Sequence, residues 1–142
     1  MYSKALAVSA VALAASFALA GSASAEVVKM KAVLSGASEV PATTSKGSGN
    51  ADITYDTASK KLTWKLTYKD LSGPATMAHF HGPAAAGANA GVAVPIPDPK
   101  SGTEGSATLT DAQAADLMAG KYYVNVHTDA NKGGEIRGQV TK

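Results

Sequence analysis

The sequence predicts an all-β fold, an antiparallel Greek-key sandwich or barrel of about seven to eight short strands with one short helix over residues 111–119. Three observations predict it. Apolar and polar residues alternate with a period of two in run after run, the pattern of a strand with one buried and one wet face. Turn-forming clusters rich in Gly, Pro, Ser, Asn and Asp separate these runs. Only one stretch carries the start and stop signals of a helix.

In chain order, the first run is Val27 to Ser35, followed by Ala51 to Asp56. The clearest comes next: Leu62, Trp64, Leu66 and Tyr68 alternate with Lys61, Thr63, Lys65, Thr67 and Lys69. Weaker runs cover Met77 to His81, Ser106 to Leu109, Tyr122 to Thr128 and Glu135 to Thr141. The turns between them are 45–50, Ser72-Gly73-Pro74, 82–91, 97–105 and 129–134. The helix rests on a capping-box pattern, Thr110 followed by Gln113, with Asp111 at the positive end of the helix dipole. Ala112 to Ala119 are mostly helix formers, Gly120 suits a left-handed cap, and Leu117 and Met118 face the sheet.

Residues 1–25 read as a secretory leader rather than as part of the domain. Lys4 gives a weakly positive start, Ala5 to Ala20 is small and apolar, and Ala23-Ser24-Ala25 is a small-x-small cleavage site before Glu26. The apolar run is shorter than the roughly twenty residues that span a bilayer, and no stop-transfer pattern follows. The expected mature chain is therefore a single domain, 26–142, in the periplasm or secreted, without a membrane span.

Composition excludes several function classes. Thirteen Lys and Arg against eleven Asp and Glu give a formal charge of +2, and the lysines are scattered singly, so no basic stripe exists for nucleic acid. Cysteine is absent, which excludes disulfides, blue-copper centres, iron–sulfur clusters and most structural zinc sites. No serine sits in a nucleophile elbow, and the Walker and Rossmann glycine patterns are missing, so no catalytic residue is assigned.

All three histidines fall in two strand-like runs, each on the face opposite the apolar residues. His79 and His81 share the face that Phe80 avoids, and His127 lies opposite Val124 and Val126. Two imidazoles two residues apart and a third from another strand can converge on one ion. Neutral imidazoles without thiolate suit copper or zinc, and a Met77 thioether on the same face is a candidate extra ligand favouring Cu(I), or else packs at the strand edge. Asn125 and Glu135 are candidates for holding the ligand rings from behind, or belong to a solvated strand face. Arg137 either pairs with Glu135 or guides an anion to the metal. The Gly- and Ala-rich 82–91 segment is either a flexible surface loop or a means of keeping access to His81 open. The site is expected on the outer wall of the fold, within reach of solvent.

Leu71-Ser72-Gly73-Pro74 leads into Ala78-His79-Phe80-His81-Gly82-Pro83-Ala84. Leu117-Met118-Ala119-Gly120-Lys121-Tyr122-Tyr123-Val124-Asn125-Val126-His127-Thr128 and Gly134-Glu135-Ile136-Arg137-Gly138-Gln139-Val140 follow. These motifs closely resemble the CHRD (chordin-type) domain, common in exported bacterial proteins, over nearly all of Val28 to Val140. One departure is Lys132 after Asn131, where the family often has proline. A more distant likeness links the strand order, His-x-His, glycine-rich loop, Val-x-Val-His and late arginine to the copper half of Cu,Zn superoxide dismutase. That resemblance implies His79, His81 and His127 as copper ligands and Arg137 as the anion-guiding arginine, but it supplies no zinc set and no cysteine pair.

Three functions follow as expectations. The first is an exported copper-binding protein with a storage or redox-buffering role. The second is a copper enzyme that dismutes superoxide. The third is an adhesion or matrix module whose histidines are incidental.

Overall fold

The computed structural model describes Gly21 and residues 24–142; the expected leader, apart from Gly21, Ser24 and Ala25, lies outside the described residues. Eight strands form one antiparallel sheet: β1 (Val27–Ser35), β2 (Ser48–Asp56), β3 (Lys61–Lys69), β4 (Ala75–His81), β5 (Val92–Ile96), β6 (Thr103–Thr108), β7 (Tyr123–Thr128) and β8 (Ile136–Gln139). Their order across the sheet is β5-β4-β7-β8-β1-β2-β3-β6. The sheet curls into a nearly closed barrel.

Chain connectivity forces that curl. β5 and β6 are opposite edges of the sheet, yet only six residues, 97–102, join Ile96 to Thr103. Such a link reaches at most about 25 Å, whereas a flat eight-stranded sheet sets its edges about 34 Å apart. Closure brings Trp64 of β3 edge-on to Phe80 of β4, with ring centroids 5.3 Å apart across the interior. Around this pair the inward positions of β1 to β4, among them Leu34, Ile53, Leu62 and Leu66, form the apolar core with Ile136, Val124 and Val126. Without disulfides, stability rests on burying this apolar surface and on the polar network described below.

α1 (Asp111–Met118) follows β6 and is capped as its sequence predicts. The Gln113 N–H donates to the Thr110 hydroxyl at 3.2 Å, and the Thr110 N–H donates to Gln113 Oε1 at 3.0 Å. Leu117 is fully buried, and the Gln113 amide also donates to the Ala93 carbonyl, tying the helix to β5.

β2 starts at Ser48, three residues into the stretch 45–50 expected as a turn, and two further strands differ from expectation, each for a physical reason. β5 lies where no run is expected; Pro95 interrupts Val92, Val94 and Ile96, and proline is tolerated there because β5 is an edge strand. β6 begins at Thr103, inside the stretch read as a turn, because Gly105 is there for space. It lies opposite Trp64, and a Cβ at this position would fall 2.5 Å from the indole.

Candidate metal centre

The alternation of β4 turns Ala78 and Phe80 inward and leaves Met77, His79 and His81 on the outer face. β7 does the same with Val124 and Val126 inward and Tyr123, Asn125 and His127 outward. The two strands are neighbours, with Met77 opposite His127, His79 opposite Asn125 and His81 opposite Tyr123. His127 is therefore diagonal to His79, within reach for imidazole rings. The Nδ1 of His79 lies 3.2 Å from the Nε2 of His127.

One ring nitrogen from each histidine comes within 4.8 Å of the other two. Nitrogens bonded to one tetrahedral ion at 2.0–2.1 Å stand roughly 3.3 Å apart, so the widest pair has to close by no more than about 1.5 Å. In two of the rings the other nitrogen is already assigned. His127 Nδ1–H donates to the Lys132 carbonyl at 2.8 Å, and His81 Nδ1–H donates to the Ala90 carbonyl at 3.0 Å. A carbonyl only accepts, so both rings carry their proton on Nδ1 and turn a bare Nε2 lone pair toward the cluster. His81 Nε2 is buried and has no protein partner. Between His79 and His127 there is room for a proton or a cation, not both.

Burial holds the His79 and His81 imidazoles below the ordinary imidazole pKa, and the neighbouring histidines add to the effect; in His81 the Ala90 carbonyl pulls the other way and loses. These rings favour the neutral form, the one that binds a metal.

The outer wall is covered here, which corrects the expectation of an open site. His81 and His127 are 8% and 6% exposed, and only His79 is partly open. Over His81 the cover is the 82–91 loop, while His127 meets the 129–134 turn at the Lys132 carbonyl. The small side chains of the 82–91 loop let it lie close to the sheet, and its backbone is gripped by side chains beneath. Gln139 donates to the Ala84 carbonyl at 2.8 Å, Arg137 donates to Asn89 Oδ1 at 2.9 Å and to the Ala88 carbonyl, and the Tyr123 hydroxyl bonds both the N–H and the carbonyl of Ala90 at 3.1 Å.

Three further expectations are corrected. The ion pair between Glu135 and Arg137 does not form. Arg137 is only 1% exposed, with its guanidinium 3.4 Å from the Tyr123 ring centroid and its donors on the loop, so it is not displayed to an approaching anion. Glu135 precedes β8, and its buried carboxylate accepts from Ser45 Oγ at 2.8 Å, Ser72 N–H at 2.9 Å, Thr128 Oγ1 at 2.8 Å, Asn131 Nδ2 at 3.1 Å and the Ser72 hydroxyl. Burial pushes this carboxyl up, but the Ser72, Thr128 and Ser45 bonds outweigh it and hold the pKa at about 2. Glu135 ties loops together and makes no hydrogen bond to a histidine.

Asn125 lies between His79 and Arg137 in the register, buried, with its Oδ1 unpartnered. Its amide approaches Glu39 over Gly134, whose φ of 124° and lack of a side chain are both required. A Cβ there would fall 2.4 Å from Glu39 Oε1 and 2.6 Å from Asn125 Nδ2. Met77 is 48% exposed, on the same face as the histidines and opposite His127.

Glu39 and Tyr123 are the residues that sequence reasoning missed. Tyr123 was visible as the residue four before His127 on the same face; Glu39, after a short 3-10 turn at Gly36–Ser38, follows no period. Burial raises the Glu39 pKa to about 7, against the Arg137 charge and hydrogen bonds from Asn125 and the Val40 N–H. The folded state thus binds this proton more tightly than the unfolded chain, so the protonated carboxyl favours folding. Stability is expected to fall as pH rises from about 4.5 through 7, and Glu39→Gln to flatten that slope, as read by urea unfolding at several pH values. An unchanged slope refutes the assignment.

A cleft of about 630 Å³ lies elsewhere, over β1, β2, β3 and β6, lined by Lys29, Asp52, Lys61, Lys65 and Glu104 among others. It includes none of the histidines, and its mixed charges are those of a solvated strand face.

Fold and site define a class: a barrel-like antiparallel domain with three histidines gathered on its outer face, one of them bonded to a glycine-rich loop. The chain belongs to the CHRD domain family, whose model matches residues 30–140. No curated protein and no solved structure is matched. Among the described residues, no helix is long and apolar enough to cross a membrane.

Proposed function

We propose that this protein is exported to the periplasm or beyond, and there binds one copper ion through His79, His81 and His127 for storage or redox buffering. One observation carries the reading: three ring nitrogens gather while backbone carbonyls fix the proton of two of the rings on the far side. The imidazole-only donor set suits copper and zinc alike, and the Met77 thioether on the same face is what favours copper, as Cu(I). The burial of Arg137 favours holding an ion over dismuting superoxide.

Titration of metal-free protein with Cu(I) and Cu(II) tests the proposal. One equivalent is expected to bind, and the triple His79→Ala, His81→Ala, His127→Ala variant is expected to bind none at that affinity. Equal binding by the variant refutes it. Protons compete for the same nitrogens, so affinity should weaken only below the ordinary imidazole pKa of about 6.5, because His79 and His81 are held under it. Met77→Leu should weaken Cu(I) binding and leave Cu(II) and Zn(II) unaffected; an equal loss for all three would remove the thioether from the donor set.

A further inference from the structure

We infer that Tyr123 is a positioning residue that fixes the His81 ring for the ion and, through the same hydroxyl, latches the 82–91 loop over it. The inference rests on the copper reading above. Tyr123 lies directly opposite His81 in the β4–β7 register, and the two rings stack with centroids 4.9 Å apart and planes within 1° of parallel. A parallel stack at that distance blocks rotation of the imidazole about its ring torsion unless the phenol moves too. The phenol cannot move freely. Arg137 sits 3.4 Å from its ring centroid, and Tyr123 itself is buried.

Its hydroxyl supplies the second half of the arrangement. It donates to the Ala90 carbonyl and accepts from the Ala90 N–H, both at 3.1 Å. The same Ala90 carbonyl accepts the His81 Nδ1–H at 3.0 Å, which sets the tautomer that leaves Nε2 bare. One carbonyl oxygen thus joins a proposed ligand, the roof of the site and the side chain stacked on that ligand. The Gly82 N–H closes the base of the loop on the Gly91 carbonyl at 3.2 Å, so Ala90 stands next to a fixed hinge point. Loop closure and ligand orientation are therefore one equilibrium, and an ion that needs the His81 Nε2 in place stabilises the closed loop.

The test compares wild type with Tyr123→Phe, which keeps the stack and removes the latch, and Tyr123→Leu, which removes both. Three readouts are taken on the full chain: copper affinity by chelator competition, the electron paramagnetic resonance spectrum of bound Cu(II), and hydrogen exchange at the Ala90 amide. In Tyr123→Phe the Ala90 amide should exchange faster and copper affinity should fall about tenfold; in Tyr123→Leu affinity should fall about a hundredfold and the Cu(II) spectrum should shift, the range seen when partners behind a ligand are lost. Variants that keep wild-type affinity and spectrum overturn the inference while leaving copper binding intact. Wild type that takes up no copper overturns the copper reading and this inference with it. If Tyr123→Leu fails to fold, Tyr123→Phe decides.

Discussion

Glu135→Ala is expected to cost more than about 3 kcal/mol of folding stability, an unusually large loss for one side chain outside the apolar core. The buried carboxylate collects five hydrogen bonds from Ser45, Ser72, Thr128 and Asn131, drawn from three loops and the end of β7. Hydrogen bonds to a charged group are worth about 1.5–3 kcal/mol each when made, and truncation leaves several buried donors facing a void. The same network makes the loss depend on acid. With a pKa near 2 in the fold against an ordinary 4.5, Glu135 binds its proton less readily when folded. Its contribution is fully present above about 4.5 and fades as pH falls toward 2, so wild type and Glu135→Ala should converge in that window. Glu135→Gln should fall between them, since it keeps the shape but offers one acceptor oxygen and two unwanted donors. Urea unfolding from pH 7 to pH 2.5 measures all three. A loss under 1 kcal/mol at pH 7, or a gap that does not narrow in acid, would show that the network is not a keystone.

Why Glu135 was misread shows where sequence reasoning stops. Glu135 and Arg137 are two apart, and in an unbroken strand they share a face. β8 begins between them, at Ile136, so the rule holds for Arg137 and lapses for Glu135, which answers to Ser45 and Ser72 far away in the chain as well as to Thr128 and Asn131 nearby. Where a run was unbroken, the reading held: the alternation of Leu62, Trp64 and Leu66 is the inward face of β3, and the periods of β4 and β7 brought His79, His81 and His127 together. Periodicity states which face a residue takes but not what covers that face. The cover over His81 comes from a loop with no pattern of its own, held by Tyr123, Arg137 and Gln139 from beneath. Glu39 follows the same logic, since its burial depends on Gly134 and Asn125 rather than on any neighbour in sequence.

His127→Ala is expected to lower copper affinity more than about a hundredfold, the upper end of what losing a mere supporting partner costs. Among the three rings it is the one with both nitrogens committed: Nδ1–H to the Lys132 carbonyl at 2.8 Å, and Nε2 facing His79 Nδ1 at 3.2 Å. It is also buried on β7, between β4 and β8, so its ring reaches the cluster already ordered. His79 is different. Its ring is partly exposed, and besides edge-on packing against His81 its one hydrogen-bonding neighbour is His127, so much of its ordering depends on His127 being there. Losing His127 therefore removes one ligand and loosens a second, whereas losing His79 leaves His81 and His127 each held by its own carbonyl. The expected ranking is a larger loss for His127→Ala than for His79→Ala, with no loss for Lys65→Ala beside the other cleft. Chelator competition on folded variants reads the three values. Equal losses at His79 and His127 would mean that the carbonyl at Lys132 does not preorganise the site, and no loss at His127 would remove that ring from the proposed ligand set.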